Sequence, residues 1–187
     1  MKQKRAKNKE SVTSHVEDLL RAWEAARPDL DLGEFLQGIA LMRLGRIIDL
    51  SFDRMCRRDH DISGADMRVL FALRRAGPPF ERRPTDLFKA LLVASGTITR
   101  QIDRLVDKKY VLRKPDANHG GGFLISLTRE GKDAADYATN FLATKSLLLK
   151  GSAGMSPELR AAGEQYVFTL LKELEKHTDF GINLPSR

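Results

Sequence analysis

"RPTDLFKALLVASGTITRQIDRLVDKKYVLRK" (residues 83–114) decides the fold. It reads as two short helices with a tight break, Pro84 to about Leu92 and Ser95 to about Lys109. Ser95 is a natural N-cap and Gly96 sits at the joint, as expected of a helix-turn-helix. In the second helix Ile98, Ile102 and Leu105 recur at i, i+4 and i+7, a face suited to anchoring in a core. Thr97, Arg100, Gln101, Arg104 and Lys108 fall broadly on the other face. A small hydroxyl followed by long cations and an amide is the chemistry that enters a major groove. Arginine bonds guanine bidentately, glutamine bonds adenine, and hydroxyls and lysines hold phosphates. Ser95, Thr97, Thr99, Arg100, Gln101 and Arg104 are therefore the expected groove and phosphate contacts, with Lys108 and Lys114 adding to the backbone field.

Immediately downstream, "YVLRK" (110–114) and "GFLISLT" (122–128) read as two strands. The glycines between them are no phosphate loop, because no helix opening with Lys-Ser/Thr follows. A linker is also excluded, since apolar alternation resumes at Phe123, Ile125 and Leu127. The segment is a hairpin tip.

Helices are expected on both sides. Val12, Val16, Leu19, Leu20 and Trp23 keep helical spacing until Pro28. "DLGE" (31–34) offers a capping box for a helix whose apolar positions, Phe35 to Met55, are too many for one narrow stripe. Such a helix is buried on two sides, centrally or at a dimer interface. "SGAD" (63–66) caps a third helix, ended by Gly77. Thr128 opens a long helix to about Lys150, and Ser156 with Pro157 opens the last. The expected architecture is mainly α, a winged helix-turn-helix with a helical dimerisation region formed by the N- and C-terminal helices. By residue, 1–10 is a disordered basic arm, 11–61 and 129–180 the dimerisation region, and 62–128 the DNA-binding region, all one intertwined domain.

Composition narrows the function. The 187 residues carry a net charge of +7, which favours a polyanionic partner, nucleic acid before membrane surface. One cysteine, Cys56, excludes a disulfide framework, and a buried thiol is expected there rather than a peroxide sensor, although Arg57 and Arg58 flank it. His15, His60, His119 and His177 form no close pair, so no metal site and no cofactor are expected. No apolar run approaches the roughly 20 residues of a membrane helix, and no apolar core follows the basic start, so the protein is read as cytoplasmic. No nucleophile elbow or phosphate-loop motif is present, and no enzymatic activity is expected.

"ISGADMRVLFALRRAGPP" (62–79), the 83–114 stretch and "LISLTREGKDA" (124–134) together resemble the multiple-antibiotic-resistance-regulator (MarR) type of winged helix-turn-helix repressor. The resemblance implies a homodimer that binds a pseudopalindromic double-stranded DNA operator and is released by a small, often aromatic and anionic, effector. "RAWEAARPDLDL" (21–32) on an added N-terminal helix, with "RRAGPP" (74–79), looks like the urate-responsive branch. By that resemblance Trp23, Arg68, Gln101 and Arg113 line the effector pocket. Trp23 and Arg113 match the branch, whereas Arg68 stands at its acidic position and Gln101 at its recognition-helix arginine, which implies altered selectivity. The wing departs too: His119 occupies the family's acidic position, and Gly120 and Gly121 stand where arginines enter the minor groove. An alternative reading keeps the dimer, binding ligand or protein partners, with DNA binding weakened or lost through this glycine wing.

Overall fold

The computed structural model describes residues 18–19, 21–91, 95–117 and 122–177. The basic arm, Val12, His15, Val16, Leu20, and the wing-tip residues His119, Gly120 and Gly121 lie outside them. The chain divides into two compact units, 1–47 and 48–187.

In the first unit, helix α1 (helical over 18–19 and 21–26) stops before Pro28, as the sequence predicts. The Trp23 ring meets Phe35 edge-on, with centroids 5.0 Å apart. Asp31 accepts a hydrogen bond from the Gly33 N–H (3.0 Å), one of the unpaired donors at the start of helix α2 (Gly33–His60). Phe35, Met42, Leu44 and Ile47 remain exposed on this part of α2.

The second unit contains the rest of α2, helices α3 (Gly64–Arg74), α4 (Pro84–Leu91) and α5 (Ser95–Asp107), and the hairpin β2 (Val111–Pro115) and β3 (Phe123–Leu127). Helices α6 (Arg129–Lys145), α7 (Leu147–Ser152) and α8 (Pro157–His177) follow. The expected cap at Ser63 is a full capping box: Ser63 Oγ accepts from the Asp66 N–H and Asp66 accepts from the Ser63 N–H. Gly77, at φ +73°, makes the turn after α3 that a Cβ would strain.

Two features differ from expectation. A two-residue strand, β1 (Glu81–Arg82), joins the hairpin in the antiparallel order β1-β3-β2, with Glu81 opposite Ser126 and Arg82 opposite Ile125. Such a short edge strand has no periodicity to betray it. The long helix from Thr128 breaks at Ser146, whose extended backbone and Oγ, accepting from the Leu149 N–H (3.1 Å), start α7. A serine hydroxyl competes for backbone donors in this way.

One core unites these elements: Met67, Leu70 and Leu73 of α3, Leu87 of α4, Ile98, Ile102 and Leu105 of α5, Val111 and Ile125 of the hairpin, and Ala135 and Ala138 of α6. Gly131 lets α6 pass the preceding segment, because a Cβ there would lie 2.0 Å from the Tyr110 carbonyl oxygen. By contrast, α8 buries none of its described side chains, and its Leu159, Tyr166, Val167, Phe168, Leu171 and Leu174 are exposed.

Candidate nucleic-acid interface

Helix α5 is fixed from behind. Ile98, Ile102 and Leu105 are at most 1% exposed, as their spacing predicts. The opposite face of its first two turns shows Gly96, Thr97, Thr99 and Arg100 to solvent. Arg100 has no hydrogen bond or ion pair to any described residue, so its guanidinium is available to an outside partner. Ser95 opens the helix, and its side chain lies outside the description.

The remaining expected contacts are placed differently. Gln101, expected on the polar face, is buried at 3% exposure, and its Oε1 lacks a hydrogen-bond partner. Three residues after Ile98 and four before Leu105, it belongs to the anchoring face by register; the spacing held that signal and the amide chemistry masked it. Arg104 turns sideways to Asp66 of α3, and Lys108 to Asp61. Lys114 bonds Glu81 at 2.6 Å. All three cations are held within the protein, whereas Thr97, Thr99 and Arg100 are exposed on the outward face.

Beside α5, Arg113 of β2 pairs with Asp103 and lies over the Phe123 ring at 5.4 Å, joining the helix to the hairpin. At the far end of β2 the Asp116 carboxylate, 2% exposed, accepts from Arg83 Nε at 2.7 Å. Sequence reasoning missed Asp66, Arg83 and Asp116. Only Asp66 had a signal, its third place in a capping box.

An outward-facing second helix with a three-stranded sheet beside it is a winged helix-turn-helix. The MarR family profile matches residues 60–120, from the end of α2 through the helix-turn-helix and β2. The transcriptional regulator PecS of Dickeya dadantii (strain 3937) is 31% identical over 116 residues, covering 62% of this chain and 69% of PecS. The multiple antibiotic resistance protein MarR of Escherichia coli (strain K12) is 36% identical over 100 residues, 52% of this chain and 67% of that protein. The chain belongs to the MarR family. A crystal structure of a mutant E. coli MarR complexed with operator DNA superposes with a TM-score of 0.58 at 29% identity, covering 76% of this chain and 99% of that one.

Each of the four residues expected to line an effector pocket is placed by contacts within its own unit. Trp23 lies in the first unit against Phe35. In the second unit, Arg68 pairs with Asp49 and covers Phe52, Arg113 pairs with Asp103, and Gln101 is in the core. A separate cleft of about 560 Å³ opens between the end of α2, the start of α3 and the end of α5. Its cations Arg57, Arg104 and Lys108 bond Asp53, Asp66 and Asp61 in turn.

Cys56 is fully buried, and burial pushes its thiol up to about 12. Its flanking arginines bond Asp53 and Asp59 instead. His60 stacks edge-on against Tyr137 with its Nε2 unpartnered. Among the described residues no group of three or more His, Cys, Asp or Glu side chains gathers to hold a metal, and no helix is long and apolar enough to cross a membrane.

Proposed function

We propose that the chain is a DNA-binding transcriptional regulator that grips a pseudopalindromic operator as a homodimer, and that a small aromatic or anionic effector releases it. The observation carrying this reading is the two-faced helix α5: a core-locked back and an outward first half ending in the unpaired guanidinium of Arg100. Such a helix presents a rigid set of donors to base edges in a major groove. The operator complex of the related E. coli protein supports the same use of the fold.

Dimerisation is supported by the unsheltered apolar residues of α8 and of α2, within the proposed dimerisation segments 11–61 and 129–180. Leaving six large apolar side chains of one helix in water is costly, and a two-fold interface removes that cost. Two such subunits would set their recognition helices about one DNA turn, roughly 34 Å, apart. Repression and effector release rest on family kinship, with Arg68 and Arg113 as proposed effector contacts.

Selection of bound duplexes from fragmented genomic DNA, repeated with aromatic acids, tests the reading. An enriched palindromic site, lost on adding one of the acids, is the expected result. No enriched site, with the dimer intact, favours instead a ligand- or protein-binding member that has lost DNA recognition.

A further inference from the structure

Strands β1 and β2 both border β3, so their backbones lie about 9–10 Å apart and only long side chains reach across. Two ion pairs make that crossing. Lys114 Nζ reaches Glu81 at 2.6 Å, and Arg83 Nε reaches Asp116 at 2.7 Å. Glu81 and Lys114 lie within the strands, and Arg83 and Asp116 each follow the end of one, so a charge of the opposite sign stands two residues after each strand charge. The Glu81–Lys114 pair runs as a diagonal: Glu81 stands opposite Ser126 and Lys114 opposite Leu124, two residues along β3. The Asp116 N–H also bonds the Gly122 carbonyl (3.0 Å), closing the hairpin just beyond the ladder.

We infer that these two pairs form a brace that orients the β2–β3 hairpin against the strand preceding the helix-turn-helix, making Glu81, Arg83, Lys114 and Asp116 positioning residues for DNA binding. This rests on the DNA-binding reading above. The two bonds are unequal. Asp116 is almost wholly buried, so losing Arg83 removes a counter-charge where water cannot replace it. In Glu81–Lys114 the lysine is half exposed and the glutamate 15% exposed, so this is the more accessible pair and the one to reverse. Glu81 also accepts from the Ser126 hydroxyl of β3, and Lys114 holds its carboxyl below the usual carboxylate range, so the brace stays charged at neutral pH. The brace further reassigns Lys114: its ammonium supports the wing root from within and is not given to a phosphate.

A charge swap separates the two roles. The wild-type chain first selects a duplex from a randomised pool, and affinities for that duplex are measured for Glu81→Lys, Lys114→Glu and the double swap, with melting curves to check folding. Each single reversal is expected to weaken binding about tenfold, and the swap, with the same net charge, to return within about threefold of wild type. Asp116→Asn, which keeps the shape, is expected to lose protection of the flanking minor grooves while the central major-groove protection remains. A swap as weak as Lys114→Glu alone, or unchanged flank protection in Asp116→Asn, overturns the brace and leaves the DNA-binding reading standing. A wild-type chain that enriches no duplex overturns that reading instead, and the brace with it.

Discussion

Arg104 of α5 holds Asp66 of α3 through two nitrogens, Nε at 3.2 Å from Oδ2 and Nη2 at 2.6 Å from Oδ1. The Asp66 carboxylate is 4% exposed and also accepts from the Ser63 N–H (3.3 Å), so one side chain closes the cap of α3 and fixes α5. Removing it loses the cap and leaves Arg104 without its partner. Asp66→Ala is expected to destabilise the fold by about 2–4 kcal/mol, read from the urea midpoint at constant slope. A change under about 0.5 kcal/mol would show that the pair is incidental.

That pair also marks where the sequence stopped being readable. Helix ends are local events: Ser63, Pro28 and Thr128 each declare a cap or stop within four residues, and the structure places all three as expected. The anchoring face of α5 was legible for the same reason, through the spacing of Ile98, Ile102 and Leu105. Which cations stay free was not legible, because that depends on carboxylates distant in sequence. Asp66 is 38 residues from Arg104 and Asp116 is 33 from Arg83. Charge alone made Arg100, Arg104, Lys108 and Lys114 look alike, whereas folding pairs the last three and leaves Arg100.

From this inequality follows a difference between neighbours on α5. Arg100→Ala is expected to cost about 1–3 kcal/mol at the selected operator and much less on random DNA. Gln101→Met, similar in volume, removes a buried carbonyl oxygen that has no donor. It is expected to leave operator affinity unchanged and to raise stability by up to about 1 kcal/mol. Parallel titrations of both variants on operator and random duplexes decide. Equal losses for the two would return Gln101 to the groove.

Cys56 supplies a chemical check on the core. With its thiol pushed up to about 12 by burial, the reactive thiolate at pH 8 is about one part in ten thousand. Native protein is expected to resist a disulfide-exchange reagent for hours, and to react within minutes once unfolded in guanidinium. Hydrogen peroxide should leave operator binding unchanged. Fast labelling of the folded chain would mean that the end of α2 opens readily.

His60 gives stability a pH dependence of defined sign. It lies at the end of α2 with its ring edge-on to Tyr137, 5.0 Å between centroids, and its carbonyl accepts from the Tyr110 hydroxyl. Burial lowers its pKa from 6.5, and the nearby Asp59 opposes this only in part. Asp59 itself is held at about 2, first by Arg58 and then by the Tyr137 hydroxyl, so it stays ionised throughout the range concerned. The unfolded chain therefore takes up a proton at His60 at higher pH than the folded chain does. Stability from the neutral ring is complete above about pH 6.5 and is lost as the pH falls below it, until the folded group also protonates. His60→Phe keeps the aromatic contact with Tyr137 and removes the titration. Urea unfolding across this range is expected to show a shallower fall for the variant than for wild type, with the two curves parallel above pH 7. Identical slopes below about pH 6.5 would show that His60 accepts its proton as easily folded as unfolded, and that its ring is not desolvated at all.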